Sequence, residues 1–224
     1  MPVTTILLAR HGESDWNHER RWQGWADRPL TARGREQAAA LAERLRAVAL
    51  DAVYSSDLAR ARDTAAAVAA LHDLSVCELA GLREVDVGSW SGLTRSDAER
   101  LSPVGFERWR RGETGWEDGE TYGTMSSRVI RTVSKIATDH EGGLVLLVSH
   151  AGPIRAVHAA ALGMTVEAYR RVRPVEPNAR LSGVCFVDGR LNELCPGGRI
   201  DELIGRGIAD RSRDAAAPGP TPAG

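Results

Sequence analysis

Two short apolar runs in this 224-residue chain end in histidine. Val3 to Ala9 (VTTILLA) stops abruptly at Arg10-His11-Gly12, and Gly143 to Ser149 (GLVLLVS) runs directly into His150-Ala151-Gly152. Runs of this length and composition suit strands buried on both faces. Such strands need helices above and below them. Open α/β sheets also place their chemistry at the carboxyl ends of the strands. The two runs therefore predict a sheet with both histidines on one rim.

The rest of the chain fits that frame. Thr31 to Val48 predicts a helix capped by Thr31, with Ala38, Leu41, Leu45 and Val48 at helical spacing. Ala52 to Ser55 reads as a second buried strand, followed by a helix that Asp57 would cap and that would run to about Leu71. Leu74 to Cys77 predicts a third strand, and residues 78–93 an ordered glycine-containing loop. Residues 94–123 are polar, with Trp109 and Trp116, and read as a partly helical insertion. Ser126 to His140 and Pro153 to Leu162 predict helices. Asp188-Gly189, between Val184–Val187 and Leu191–Leu194, predicts a hairpin. Strands alternating with helices give the expected class: an α/β, three-layer α/β/α sandwich on a mostly parallel central sheet. One domain is expected over residues 1–205. Beyond about Arg211 the pattern dissolves into Arg, Asp, Ala, Pro and Gly, so residues 206–224 are expected to be a disordered tail.

Charge excludes some partners. The net charge is −1, so no global basic field favours nucleic acid or an anionic membrane. Lys135 is the only lysine, and guanidiniums suit phosphate where geometry matters. Cys77, Cys185 and Cys195 are too dispersed for a disulfide framework or a zinc motif. No segment reads as a signal peptide or a membrane span, which makes a cytoplasmic protein, with a homodimer permitted, the expectation.

The chemistry-bearing segments follow in order: Arg10-His11-Gly12-Glu13-Ser14-x-Trp16-Asn17, then Gly24-x-x-Asp27-x-x-Leu30-Thr31, then Ser56-x-Leu58-x-Arg60-Ala61-x-x-Thr64-Ala65. Leu82-Arg83-Glu84-x-x-x-Gly88-x-Trp90, Gly119-Glu120-Thr121 and Ser149-His150-Ala151-Gly152 complete the set. In these motifs, over residues 3 to about 190, the chain resembles the histidine phosphatase superfamily, with its phosphoglycerate-mutase-like fold.

A neutral imidazole is a competent nucleophile, and an N–P intermediate splits one hard displacement into two. Fixed cationic donors must meet the charge on the transferred group. The resemblance implies that His11 is the nucleophile and Glu84 the proton donor. It places Arg10, Asn17, Arg60 and His150 around the phosphate, His150 donating if protonated. Gln23, Gly24 and Ala151 are further candidates for substrate contact. Arg62 competes with Arg60, since both flank Ala61, but the spacing to Thr64 favours Arg60. Glu13 reads as a loop or capping carboxylate. His18, His72, His140 and His158 show no metal-ligand spacing and read as surface or structural residues. Some of the six tryptophans are candidates to wall the pocket. No metal and no cofactor are expected.

The opening segment is very similar to cofactor-dependent phosphoglycerate mutases, but later positions depart. Those mutases carry an arginine and a tyrosine where this chain has Val85 and Val87. Residues 94–118 are also short and lack lysine. Loss of that cationic clamp favours hydrolysis over transfer. The expected activity is therefore that of a metal-independent phosphomonoesterase acting on a small phosphorylated metabolite. A phosphoglycerate mutase and a non-catalytic phospho-ligand binding module are the alternatives.

Overall fold

The computed structural model of the protein describes residues 2–194. Four strands run parallel: β1 (Thr4–Arg10), β2 (Ala52–Ser55), β3 (Val76–Glu78) and β4 (Leu144–Ser149). β5 (Leu181–Val187) lies antiparallel to β1, and β6 (Arg190–Glu193) closes the hairpin with β5. The sheet order is β3-β2-β4-β1-β5-β6. The chain thus leaves β1 toward β2 on one side, while β5 comes in on the other. That reversal opens a crevice beyond the carboxyl end of β1.

Alternation along β1 feeds two cores. Leu7 and Ala9 pack with Leu41, Leu45, Ala61 and Val68 of α2 (Ala32–Leu45) and α3 (Ala59–Ala69). Ile6 and Leu8 face the other way, against Val133, Ile136, Ile154 and Val157 of α6 (Tyr122–Asp139) and α7 (Ala151–Ala161). Each fully buried side chain of this kind contributes about 1.5–3 kcal/mol. β4, the central strand, is buried from Val145 to Ser149. The three-layer α/β/α sandwich is the observed fold. Among the described residues, no helix is long and apolar enough to cross a membrane.

Several boundaries differ from expectation. Asp57 does not cap α3. Leu58 holds the cap position without a side-chain bond, and Asp57 instead pairs with Arg83. The free N–H of Ala59 is met from elsewhere in the chain, by Asp27 Oδ1 at 2.7 Å. α6 starts four residues early because Thr121 caps it through the Thr124 N–H, at 3.0 Å. Gly123 in its first turn obscured that start, glycine being a poor helix residue. The third strand is displaced to Val76–Glu78.

α1 (Asp15–His18) is a short helix not expected from the sequence, and residues 80–82 and 88–90, within the expected 78–93 loop, form single 3₁₀ turns. The 94–123 segment contains α4 (Arg95–Leu101) and α5 (Pro103–Arg110). An unanticipated α8 (Val166–Val172) packs against α7. The expected tail lies outside the described residues.

The first turn of α2 presses directly on the loop after β1. A Cβ on Gly34 would overlap the carbonyl oxygen of Glu13, and one on Gly12 would overlap that of Gly34. Both obstacles are backbone, so neither can swing aside. Gly34→Ala should therefore cost about 1–3 kcal/mol. Urea unfolding checks this, and an unchanged midpoint would show that the loop and helix can separate freely.

Candidate active site

The parallel register aligns Arg10 with Ser149, which makes the next residues neighbours. The His11 N–H donates to the Ser149 carbonyl at 3.0 Å. The His11 and His150 rings meet edge to face, 5.1 Å between centroids. His11 Nδ1 lies 2.6 Å from the Gly12 carbonyl oxygen. A carbonyl only accepts, so Nδ1 carries the proton and Nε2 carries the lone pair. Burial, and then the charges of Arg60 and Arg10, hold the His11 pKa well below 6.5. The same causes act on His150, burial first and then Arg60. Both rings are neutral at pH 7. His150 can then donate only through the single N–H of a neutral imidazole, not through the two of the protonated form. Both its ring nitrogens lack partners among the described residues.

Two guanidiniums flank this pair. Arg60, in the first turn of α3, donates to the carbonyls of Ala26 and Gly24 at 2.8 and 2.9 Å. Arg10 donates to the Glu176 carbonyl at 2.7 Å. Each keeps a buried Nε without a partner among the described residues. Burial lowers both pKa values, that of Arg60 to about 10, so both remain cations at neutral pH. Asn17 accepts bonds at Oδ1 from the Ser14 N–H and from Asn178 Nδ2, both at 3.2 Å. Its amide N–H₂ is thus the end available to a ligand. Gln23, whose Oε1 accepts from Ser14 Oγ at 2.8 Å, lines the same space.

Glu84 enters from the opposite side. The backbone N–H of Gly152, in the first turn of α7, donates to its carboxylate at 3.1 Å. A Cβ on Gly152 would occupy the place of Glu84 Oε1, so only glycine admits this contact. The loop bearing Glu84 is held from outside. Trp25 Nε1 donates to the Glu84 carbonyl at 2.7 Å. Arg128 donates to the carbonyls of Gly81, Arg83 and Glu84, and pairs with Glu120 at 2.6 Å.

Arg10, His11, Asn17, Gln23, Arg60 and Glu84 face one cleft of about 860 Å³, which Gly24, Ala151, Trp22, Trp109 and Tyr122 also line, while His150 is buried directly behind His11. A nucleophilic nitrogen, two fixed cations and a carboxyl group around one void can support phosphoryl transfer.

The sequence model of the histidine phosphatase superfamily (branch 1) matches residues 6–194. The chain belongs to this family. It is 37% identical over 164 residues to a metal-independent phosphoserine phosphatase of Arabidopsis thaliana, covering 70% of this chain and 68% of that one. A Citrobacter koseri protein named "Probable phosphoglycerate mutase" is 36% identical over 174 residues, covering 75% of this chain and 79% of its own. The solved structure of a mycobacterial glucosyl-3-phosphoglycerate phosphatase superposes with a TM-score of 0.74 at 31% identity. That match covers 82% of this chain and 90% of that one. The protein is a phosphatase of the histidine phosphatase superfamily.

Arg62, the alternative to Arg60, points away and pairs with Asp63. Glu13 accepts from the Thr31 hydroxyl at 3.0 Å, as a loop carboxylate. His158 is buried between Glu193 and Ser182, at 2.8 Å from each. Of the tryptophans, Trp22 and Trp109 reach the cleft, while Trp90 and Trp116 are buried behind them.

One inference from sequence needs correction. Val85 and Val87 line the cleft, but it is not short of cations. Arg155 from α7 and Arg170 from α8 line it. Arg155 lies one helical turn past Ala151, a spacing visible in the sequence. Arg170 sits on a helix the sequence did not announce. Asn178, which ties the His11 carbonyl (2.9 Å) to Asn17, lies in a proline-flanked stretch without a motif.

The two neutral histidines set an acid limit on stability. Their folded pKa values lie below the ordinary 6.5, so on acidification the unfolded chain takes up protons first. Their contribution is complete above pH 6.5 and is lost as the pH falls from there toward the folded values. The thermal midpoint should be flat above about pH 7 and should fall as the pH drops below about 6.5. Replacing His150 with Asn should flatten that fall, and an equally steep decline would remove His150 as a cause.

Proposed function

We propose that this protein is a metal-independent phosphomonoesterase that hydrolyses a small phosphorylated metabolite through a phosphohistidine on His11. The observation that carries the reading is the 2.6 Å contact of His11 Nδ1 with the Gly12 carbonyl. It fixes the tautomer that presents Nε2 to the cleft between Arg10 and Arg60. The reading takes residues 1–205 as the catalytic domain, with 94–123 as its insertion.

In this scheme Nε2 attacks phosphorus and the bond to the leaving oxygen breaks. Glu84, as the acid, gives that oxygen its proton. Glu84, now a carboxylate, takes a proton from water as the water attacks phosphorus and the N–P bond breaks. Arg10 and Arg60 hold the non-bridging oxygens, and their unpartnered Nε groups are free donors for them. Asn17, Gln23, the His150 N–H and the α7 N-terminus at Ala151 add neutral donors. Gly24 acts through Arg60, whose guanidinium its carbonyl anchors. The fixed positive charge comes from arginine, and the Arabidopsis relative carries metal independence in its name.

His11→Ala should abolish turnover of an aryl phosphate in the presence of chelator while leaving the fold intact by circular dichroism. Activity within tenfold of the parent would remove His11 as nucleophile, and turnover by the parent that chelator abolishes would remove the metal-free scheme. A folded parent that binds phosphate but turns over no ester would instead be a binding module.

Glu84→Gln should slow alkyl phosphates, whose leaving oxygen needs a proton, about 10²–10⁴-fold and activated aryl phosphates much less. Equal losses on both would exclude Glu84 as the acid.

The mutase alternative has its own support in the Citrobacter koseri relative. Incubation with 3-phosphoglycerate and a trace of its bisphosphate separates the two. Release of inorganic phosphate is the expected result, and isomerisation without release would overturn hydrolysis.

A further inference from the structure

The cleft carries more positive charge than one phosphoryl group needs. Seven arginines and two glutamates line it, in a chain whose net charge is −1. One of the two glutamates, Glu19, is taken by Arg21 at 2.6 Å. Four guanidiniums, those of Arg10, Arg60, Arg155 and Arg170, are satisfied only by backbone carbonyls among the described residues. Arg155 donates to the Arg173 carbonyl at 3.3 Å and keeps a buried Nε without a partner. Arg170 donates to the Gly112 carbonyl at 2.6 Å, with its guanidinium 4.0 Å from the centre of the Tyr122 ring.

Arg60 is buried and the other three are half-buried; cations so placed with no carboxylate in direct contact are costly, with Glu84 acting on them only at a distance. Arg10 and Arg60 have a use in the phosphoryl site. Arg155 and Arg170 have none there, yet both face the same void. The phenol of Tyr122, buried and neutral, stands beside them as a further donor.

Their placement sets a spacing. The α7 N-terminus adjoins His11 and His150, and Arg155 follows Ala151 by one turn, on the order of 6 Å along the helix. We propose that Arg155, Arg170 and the Tyr122 hydroxyl form a second anion subsite. The substrate is then a small phosphomonoester with a second anionic group, a carboxylate or another phosphate, about one helical turn from the scissile phosphorus. The apolar side of the cleft, Trp22, Val85 and Val87, packs the carbon skeleton between the two charges. This inference rests on the proposed phosphatase reading, since it takes the His11 end of the cleft as the phosphoryl site.

Two matched pairs test it. 3-Phosphoglycerate is compared with glycerol 3-phosphate, and propane-1,3-diol bisphosphate with 3-hydroxypropyl phosphate. The parent should prefer the two-anion member of at least one pair by about tenfold or more in kcat/KM. The pair that shows the preference tells carboxylate from phosphate. Arg155→Gln should lose that preference, its loss on the two-anion ester exceeding that on the neutral ester by at least about tenfold, chiefly through KM. Arg155→Lys should restore part of it.

A second measurement avoids turnover. Calorimetry with the folded His11→Ala protein should show the two-anion ester binding more tightly than its neutral match, and Arg170→Lys should reduce that difference. Parent kinetics without preference in either pair would overturn the subsite, as would equal losses on both esters in a folded Arg155→Gln protein. Failure of the parent to hydrolyse any of the four esters would instead count against the phosphatase reading, leaving the calorimetric comparison to decide the subsite.

Discussion

Everything at the rim depends on one piece of backbone pairing, the parallel ladder between β1 and β4. Its register sets Arg10 beside Ser149, and the ladder's last bond, from the His11 N–H to the Ser149 carbonyl, fixes where His11 leaves the sheet. A slip of one residue would turn every side chain of β1 to the opposite face, exchanging the Ile6–Leu8 and Leu7–Ala9 cores. Hydrophobic burial on both faces therefore guards the position of His11 as well as the stability of the sandwich. The site inherits its precision from roughly a dozen apolar side chains that never touch a ligand.

The same burial sets the protonation states. A histidine sunk among arginines is held neutral by desolvation and like charge together, so the nucleophile proposed here is kept unprotonated without a dedicated base. Arginine resists the corresponding loss of charge, and Arg60 stays cationic even with its pKa lowered to about 10. His11 in the cleft and His150 behind it are thus neutral imidazoles among permanent cations. Backbone carbonyls orient those cations without cancelling them, which leaves their field directed at an incoming anion.

Much of this was legible in the chain itself. β1, β4 and β2 announce themselves through apolar runs, and α2 through its Thr31 cap and heptad-like spacing. The family spacing to Thr64 favoured Arg60 over Arg62; Arg60 lines the cleft and Arg62 pairs with Asp63. Capping across the chain was not legible. Asp57 looked like a cap in sequence, but Asp27 meets the Ala59 N–H from another loop, while Asp57 serves Arg83. Local pattern cannot reveal such bonds, because a carboxylate next to a helix start reads the same whether it turns inward or away. Arg128 and Asn178 were missed for a related reason. They work by binding the backbone of other segments, and no spacing rule marks a residue for that.

The second cationic wall shows why the absence of a motif is a weak guide to the absence of a function. Residues 85–118 hold no lysine, and α7 and α8 bring further guanidiniums to the cleft beside Arg95 of the insertion. Arg155 is brought in by the helix that starts at the catalytic rim, and Arg170 by a short helix packed against it. The insertion contributes something else. Arg170 anchors on the Gly112 carbonyl, and Trp109 stacks edge-on against Trp22 at 4.9 Å. The 94–123 segment and α8 therefore brace one another across the cleft mouth. Charge from one element is held in place by the backbone of another, so the selectivity proposed for the site would be a property of their contact and not of either segment alone.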